Sequence, residues 1–309
     1  MGCDSAAVQV PGSGLRRAAP PADAEVSERS LIVTADDFGL SREVNEAVEL
    51  GHREGVLTAA SLMVAEPWAN DAVARARRLP GLAVGLHLTL VEGRPAAPPD
   101  AIPDLLDRRT GKLRTDLATY GTAICVRPAV KAQVAREIRA QFDAYRATGL
   151  TLDHVNSHKH YHLHPTVAAL VLAIGREYGL RALRVPVEPP EVLVRVEPVR
   201  RGIEARLAAP YARLLRARAR RAGLAVADQV LGLAWSGAMD RRRVAGLIRA
   251  LPPGRTELYL HPARAGGFEG AAPGYRYADE LAALLAPEVI EAAQTAMAGC
   301  YSDWAREPG

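Results

Sequence analysis

The histidines of this 309-residue chain are concentrated in one short stretch that could supply metal ligands or acid–base groups. Five of the eight histidines lie within eleven residues, at His154, His158, His160, His162 and His164. The stretch continues from a strand-like segment over 151–155 and precedes Pro165, which is suited to open a helix. This context favours a site inside a folded domain over an exposed tract that binds metal nonspecifically.

The spacing of these histidines limits what they can do together. All five occupy even positions, so in an extended chain their side chains would point to one face. Five imidazoles exceed what one ion takes from one short segment. We therefore expect one or two of them to bind an ion, and the others to orient those ligands or to contact substrate.

Ionisable residues also stand in or directly after four other strand-like runs: Asp36 and Asp37 after 31–35, His87 in 82–90, Arg184 in 182–187, and His261 at the end of 257–261. In parallel α/β folds, ligands bind at the carboxyl ends of the strands. Each residue alone has an ordinary structural explanation, such as a capping turn for an aspartate pair or a hydrogen-bonded core position for a histidine. Their convergence on one edge is the stronger signal.

The residue types at these strand ends fit metal-assisted hydrolysis. One carboxylate and two imidazoles form a common ligand set for a hydrolytic divalent metal. A neighbouring carboxylate can then act as general base on a water whose pKa the metal lowers, and a histidine from another strand can protonate the leaving group.

These side chains must be positioned by alternating strands and helices. Helical patterns follow the strand-like runs over 41–55, 130–149, from Pro165 onward, and over 241–251. Such alternation predicts parallel βα units and a single α/β, barrel-like domain. We expect a disordered leader over 1–29, the domain over 30–302 with an arginine-rich helical insertion at 196–225, and a tail over 303–309.

Composition excludes several classes of protein. Hydrophobic residues make up 49% of the chain, so a large core is available and wholesale disorder is excluded. No apolar run approaches the ~18–20 residues that span a bilayer, and the leader lacks the apolar stretch of a secretory signal. Three scattered cysteines are too few for a disulfide framework. A cytoplasmic location is expected, with peripheral contact with the inner face of the membrane.

With these residues assembled, the chain resembles the YdjC/ChbG family of carbohydrate deacetylases from Leu31 to about Tyr301. The matching stretches are Thr34–Ser41, Asn45, Thr58–Met63, Gly85–Leu90, Asp153–Pro165, Arg184–Pro186 and Leu260–Pro262. The resemblance implies a distorted (β/α) barrel of the polysaccharide deacetylase type. It also implies one divalent metal ion, and magnesium, zinc and manganese all accept such ligands.

The resemblance also implies roles for individual residues. Asp37, His87 and His158 would bind the metal, Asp36 would be the general base, and His261 the general acid. Arg184 would contact substrate or orient Asp36. Four further residues are expected to contact substrate or to support the ligands: Asn45, Asn156, His160 and His162.

Within that family the chain is most similar to the hopanoid-biosynthesis-associated (HpnK-type) branch, on the stretches 84–95, 153–165 and 184–189. The implied substrate is an N-acetylglucosaminyl group on a hopanoid lipid. One departure concerns Asn156, since many family members carry aspartate there. An amide can hydrogen-bond but carries no charge, which puts metal affinity or preference in question.

The basic charge of the chain is local. The run Arg200–Arg221 contains eight arginines and one glutamate, a net +7, whereas the whole chain carries +4. A solvated helix face is the ordinary interpretation, and contact with anionic lipid headgroups is the alternative. Nucleic-acid binding is not expected, because aromatic residues are few (5%) and no known binding motif is present.

Other functions remain open at this point. A soluble chitooligosaccharide deacetylase would use the same chemistry on a different N-acetylated sugar. A non-catalytic sugar- or metal-binding protein would keep the fold without turnover. A glycosidase fits less well, since it normally uses two carboxylates across a glycosidic bond and does not need a histidine-rich metal site. The sequence leaves the oligomeric state open, a homodimer included.

Overall fold

The computed structural model of this protein describes residues 29–199 and 203–306. Of the expected leader, only Arg29 lies within these ranges, where it begins the first strand. Arg200 and Arg201 of the arginine-rich run lie outside them, as do residues 307–309 of the expected tail.

One parallel sheet forms the centre of the described part of the chain. Its seven strands are β1 (Arg29–Phe38), β2 (Ala59–Leu62), β3 (Ala83–Leu88), β4 (Val155–Ser157), β5 (Gln229–Leu231), β6 (Gly254–Leu260) and β7 (Met297–Ala298). They are ordered β4-β3-β2-β1-β6-β5, and the short β7 pairs with the beginning of β1. The long β1 is therefore central, and its carboxyl end lies among those of its neighbours.

The sheet is curled, and an irregular segment bridges its two edges. The run 182–187, expected to be a strand, forms only isolated bridges. The Arg184 N–H donates to Val155 O at 2.9 Å on the β4 side, and the Val230 N–H donates to Val187 O at 2.9 Å on the β5 side. Pro186 lacks an N–H, which prevents a regular ladder here. The expectation of a regular strand was wrong, but that of a distorted barrel is confirmed.

Helices cover the outside of the sheet. They are α1 (Arg42–Glu54), α2 (Ala69–Arg77), α3 (Leu117–Val126), α4 (Pro128–Ala147), α5 (Pro165–Glu177), α6 (Pro190–Leu193), α7 (Ile203–Arg221), α8 (Arg241–Arg249), α9 (Tyr277–Leu285), α10 (Pro287–Ala293) and α11 (Tyr301–Trp304). Short 3₁₀ turns occupy Pro99–Ala101, Pro103–Leu105 and His158–Leu163. Among the described residues, no helix combines the length and apolarity that crossing a membrane requires.

Local sequence signals account for several helix ends. The Ser41 hydroxyl accepts a hydrogen bond from the Val44 N–H, which caps α1 at the start of the helical pattern predicted over 41–55. Pro165 begins α5, also as expected. The strand expected over 151–155 begins only at Val155 and continues to Ser157, so β4 reaches directly to the histidine stretch.

The end of the described chain packs against the barrel. Trp304, at a position expected to lie in the tail, is 3% exposed and packs edge to face against Tyr301, with ring centroids 5.1 Å apart. Its indole N–H donates to the Ser30 hydroxyl at 2.8 Å, which attaches α11 to the start of β1. Trp304 is therefore packed against the described residues at the start of β1.

This packing predicts the effect of a truncated side chain. Trp304→Ala should lower the free energy of unfolding by about 3–5 kcal/mol, because it leaves a cavity beside Tyr301 and removes a buried hydrogen bond. Equilibrium urea unfolding measures the change. The exposed Arg306 offers a control, since Arg306→Ala should stay within about 0.5 kcal/mol of the parent. Equal stability of the two variants would mean that residues 303–306 are a dispensable tail.

Candidate active site

Three side chains from neighbouring strands meet at the carboxyl end of the sheet. Asp37 lies near the end of β1, His87 in β3, and His158 directly after β4. Asp37 Oδ1 lies 3.1 Å from His158 Nδ1 and 3.3 Å from His87 Nε2. One ligand atom from each residue lies within 4.8 Å of the other two. The structure thus brings together the three residues predicted to bind a metal.

The hydrogen bonds around His87 fit a metal ligand. Its Nδ1 lies 2.7 Å from the amide oxygen of Asn156, an acceptor, so Nδ1 carries the ring proton. The other nitrogen, Nε2, is buried and has no hydrogen-bond partner. In the neutral tautomer with the proton on Nδ1, Nε2 directs an unshared electron pair toward the Asp37 carboxylate oxygen, an arrangement that a cation between them would stabilise.

The backbone at Asp37 adopts an unusual conformation. Its φ of +62° lies in the left-handed region, which costs energy for a residue with a side chain. The turn that follows is held by Asn45, whose amide oxygen accepts from the Gly39 N–H at 2.8 Å. The Asn45 amide group donates to Trp68 O at 3.0 Å. Asn45, expected to contact substrate or support the ligands, lies fully buried behind this turn.

Asp36 is held by two donors. Arg184 Nη1 donates to Asp36 Oδ2 at 2.5 Å, and the Asn156 amide group donates to Asp36 Oδ1 at 3.0 Å. Burial by itself would raise the pKa of Asp36, but the Arg184 guanidinium outweighs it and holds that pKa well below its usual range. Asp36 is therefore ionised at neutral pH.

Asn156 connects His87, one of the three predicted metal ligands, to Asp36. Its amide oxygen faces His87 Nδ1, while its amide group donates to Asp36 and, at 2.8 Å, to the Ser61 hydroxyl. An aspartate at this position would place a second negative charge against Asp36. Asparagine, where many family members carry aspartate, therefore suits this position because its amide both accepts and donates hydrogen bonds.

Glu257 is a component of the site that sequence reasoning missed. It accepts from Arg184 Nε at 2.9 Å and from Nη2 at 2.7 Å, opposite the bond from Nη1 to Asp36. The Thr34 and Tyr301 hydroxyls also donate to it, at 2.7 and 2.5 Å. The sequence feature that could have revealed Glu257 is the presence of an acidic residue inside a buried strand, β6, where acidic side chains are rare.

The remaining histidines do not share one face. Lys159 and His160 have φ values of +52° and +51°, so the chain turns sharply after His158 instead of remaining extended. The alternation expected from the even spacing was wrong for that reason. His158 is the member of the cluster that reaches Asp37.

The other cluster members support neighbouring groups. His160 Nε2 lies 3.1 Å from the Tyr259 hydroxyl. His162 bridges the Ser157 hydroxyl (2.6 Å) and Arg184 O (2.9 Å), and burial lowers its pKa to about 4. His154 and His164 bond to residues away from the triad.

His261 directly follows the end of β6, the strand next to β1, which carries Asp36 and Asp37. Its ring packs between Tyr259 and Tyr275, with centroids 5.5 and 5.1 Å away. Its Nδ1 is buried without a hydrogen-bond partner. The ring is close enough to contribute to the lowered pKa values of Asp36 and Asp37, although burial and nearer cations have larger effects. The five groups predicted for metal-assisted hydrolysis therefore surround one space.

This chain is similar to one known protein family and to several curated proteins. A family model described as YdjC-like protein matches residues 30–295. A carbohydrate deacetylase of Brevibacillus brevis is 41% identical over 160 residues, which cover 52% of this chain and 59% of that protein. A carbohydrate deacetylase of Thermoanaerobacter pseudethanolicus is 26% identical over 233 residues, covering 75% of this chain and 80% of that protein.

A solved structure has the same fold. It comes from Enterococcus faecalis V583 and is described as a candidate cellobiose-phosphate cleavage protein. The two superpose with a TM-score of 0.69 at 24% identity, covering 90% of this chain and 99% of the other. At this identity the likeness shows the fold alone.

The buried ion cluster predicts a stability effect that is independent of any activity. Glu257→Ala should lower the free energy of unfolding by about 3–5 kcal/mol, because the fully buried Arg184 loses one of its two carboxylate partners. Chemical denaturation of the metal-free protein measures it. Glu177→Gln, in an exposed pair with Arg139, is the control and should leave stability unchanged. A Glu257 variant as stable as this control would show that Asp36 alone compensates Arg184.

Proposed function

Since the chain belongs to the YdjC-like protein family, we propose that it is a metal-dependent carbohydrate N-deacetylase. It hydrolyses the acetamide of an N-acetylglucosaminyl group and yields a free amine and acetate. The observation that carries this proposal is the buried Asp37–His87–His158 triad with the ionised Asp36 beside it. The relatives named carbohydrate deacetylases support it, although the chain spans only 59% of the first of them.

The triad would hold one divalent ion, with magnesium, zinc and manganese as the candidates. Such an ion, when bound, acts as a Lewis acid on the acetamide carbonyl and makes a bound water more acidic. Asn156 contributes by holding the ring proton of His87 on Nδ1, which leaves Nε2 available as a ligand.

Asp36 accepts the proton of the water that attacks the acetamide carbon. Arg184 and Asn156 hold its two oxygens, so the carboxylate is oriented before substrate arrives. The lowered pKa of Asp36 keeps its carboxylate ionised at neutral pH, so that an unprotonated oxygen faces the attacking water.

His261 donates a proton to the departing sugar amine. It reaches the site from β6, on the other side of β1 from the strands that carry His87 and His158. Packing between Tyr259 and Tyr275 restricts its ring. His160 and His162 support this arrangement indirectly, through the Tyr259 hydroxyl and through the backbone of Arg184.

Variants of the two aspartates separate metal binding from proton transfer. Asp37→Ala should lose bound metal and acetate release together, because it removes the central ligand. Asp36→Asn should retain the metal but release acetate about 10²–10⁴-fold more slowly, because an amide cannot accept the proton. Metal content after dialysis and an acetate-release assay measure the two effects. Turnover by Asp36→Asn near the parent rate would contradict the assigned base, and an absence of acetate release by the parent would favour a non-catalytic binding protein.

Two substrates are candidates within this proposal. The narrower resemblance to the hopanoid-associated branch favours an N-acetylglucosaminyl hopanoid as the natural substrate. A soluble chitooligosaccharide is the alternative, favoured by a ring-sized cleft beside His158.

The arginine-rich helix α7 bears on the first candidate. It packs through the buried Ala212, Leu215 and Ala219, and exposes Arg213, Arg218 and Arg221. Leu214 is 52% exposed between these arginines. Such a surface suits peripheral contact with an anionic membrane, which we propose at the cytoplasmic face.

One assay compares the two substrates and tests the membrane contact. The hopanoid glycolipid, in vesicles of neutral or anionic phospholipid, and N,N′-diacetylchitobiose are offered side by side to the same enzyme. We expect acetate release from the glycolipid, more strongly with anionic vesicles and less so at high salt, since salt screens the arginines. Equal, salt-insensitive rates on both vesicles would contradict membrane contact. Turnover of the disaccharide alone would assign the enzyme to soluble oligosaccharides.

A further inference from the structure

A line of buried hydrogen bonds leads to His87 from side chains that the reaction described above does not use. Asp153 Oδ2 lies 2.9 Å from His154 Nδ1, and His154 Nε2 lies 3.0 Å from the Ser61 hydroxyl. That hydroxyl lies 2.8 Å from the Asn156 amide nitrogen, and the Asn156 amide oxygen lies 2.7 Å from His87 Nδ1. The five residues are at most 4% exposed. We refer to Asp153, His154 and Ser61 as the support chain.

The carboxylate of Asp153 sets the direction of the bonds that follow it. Burial by itself would raise the pKa of Asp153, but hydrogen bonds from His154 and from the Ser302 N–H outweigh it and lower that pKa to about 2. An ionised carboxylate only accepts, so His154 carries a proton on Nδ1. In the neutral ring, Nε2 then accepts from the Ser61 O–H, and the Ser61 oxygen in turn accepts from the Asn156 amide group.

The order Asp153–His154–Ser61 matches that of a nucleophilic triad, but the hydroxyl has a different surrounding here. Ser61 is fully buried in β2, and its oxygen is engaged by Asn156, so a substrate has no access to it. Among the described residues, its side chain bonds to Asn156 and His154 only. The arrangement therefore fits support of Asn156 and not nucleophilic catalysis.

The orientation of the Asn156 amide determines which nitrogen of His87 is protonated. As observed, the amide oxygen faces His87 Nδ1, and the amide group faces Asp36 and Ser61. In the flipped orientation an N–H would face Nδ1, which would then have to accept, and the ring proton would lie on Nε2. Nε2 is the atom that faces Asp37 and would bind the metal. A flipped amide would therefore disable this ligand.

Two acceptors hold the amide group of Asn156, and the support chain provides one of them. Because the Ser61 proton is committed to His154, Ser61 would meet a flipped amide oxygen with lone pairs only. Asp36 opposes the flip in the same way, but Asp36 is also the proposed base. Ser61 takes no part in proton transfer, so its hold on the amide persists through the reaction.

Neighbouring elements hold the His154 ring in place. In β3, a Cβ atom on Gly85 would lie 2.5–2.6 Å from three atoms of the ring, so only glycine admits the ring at this position. Tyr301 packs against the same ring, with centroids 4.9 Å apart. The Ser302 N–H donates to Asp153 Oδ1 at 2.8 Å, which fixes the far end of the support chain.

We propose that Asp153, His154 and Ser61 are positioning residues that act through Asn156 to keep the ring proton of His87 on Nδ1, and so keep Nε2 free for the metal. This inference rests on the proposed function and deepens it, because it assigns a role in metal binding to residues that touch neither metal nor substrate.

The tautomer of His87 is the direct readout. Nitrogen NMR of the ¹⁵N-histidine-labelled, metal-free protein at about pH 8, where neutral imidazole prevails, distinguishes Nδ1–H from Nε2–H. The His87 signal is assigned by its loss in His87→Gln. The parent should show the Nδ1–H form alone. Ser61→Ala should show a clearly populated Nε2–H form, since an amide N–H of Asn156 loses its acceptor. The Nδ1–H form alone in Ser61→Ala would contradict the proposal.

His154→Phe tests the middle member of the support chain. It keeps a ring against Gly85 and Tyr301 but frees the Ser61 proton, so that Ser61 can donate to a flipped amide. The Nε2–H form of His87 should appear here as well. This variant decides the question if Ser61→Ala does not fold.

Metal affinity is a second readout that needs no turnover. Zinc is titrated into the metal-free protein against a competing chelator, and Ser61→Ala should bind it about 10–100-fold more weakly than the parent. Thr58→Val is the matched control, because it removes another buried hydroxyl, one that accepts from the Val33 N–H at 3.1 Å. It should lose stability to urea as Ser61→Ala does, yet bind zinc like the parent. An equal loss of zinc affinity in both variants would contradict a specific role for Ser61.

These readouts separate failure of this inference from failure of the proposed function. A Ser61-dependent tautomer and zinc affinity in a protein that releases no acetate would support the role of the support chain and contradict the deacetylase. Acetate release by the parent, with the Nδ1–H form and parental zinc affinity retained in Ser61→Ala and His154→Phe, would contradict the role of the support chain alone.

Discussion

The buried guanidinium of Arg184 is the interaction on which the site and the barrel both depend. It lies between the carboxylates of Asp36 and Glu257, and all three side chains are almost completely buried. A buried charge is tolerated only when it is paired and its hydrogen bonds are satisfied. Arg184 comes from the irregular segment 182–187, Asp36 from β1, and Glu257 from β6. The ion cluster therefore joins the segment that bridges the barrel edges to the centre of the sheet.

The same cluster accounts for the charge of the reaction centre. Asp36, Asp37 and Glu257 bring three carboxylates to one buried region, against the single guanidinium of Arg184. Two negative charges then remain in excess when the histidines are neutral. A divalent cation held by Asp37, His87 and His158 would compensate that excess, which agrees with the orphaned Nε2 of His87. Arg184 meanwhile keeps Asp36 ionised without occupying the proposed ligands.

The turn after β1 holds both Asp37 and the exposed Trp68. Asp37 is held in a left-handed conformation, and Asn45 bonds to both Gly39 and Trp68 within the same turn. Strain at such a site persists only when surrounding contacts enforce it. Here the contacts that enforce the conformation of Asp37 also position the exposed Trp68 indole. The geometry of Asp37 and the position of Trp68 are therefore coupled.

The resemblance to a known family supplied the choice of Asp37, His87 and His158 as the metal ligands. The sequence alone determined the alternation of strands and helices and the strand ends that carry ionisable groups. These two features follow from local periodicity and from the rule that parallel strands bring their carboxyl ends together. Only the tertiary structure decided that 182–187 is irregular, that the chain turns at Lys159 and His160, that Glu257 pairs with Arg184, and that Trp304 is buried. The physical reason is that pairing of buried charges and burial of aromatic rings depend on residues far apart in the chain, which periodicity and spacing do not encode.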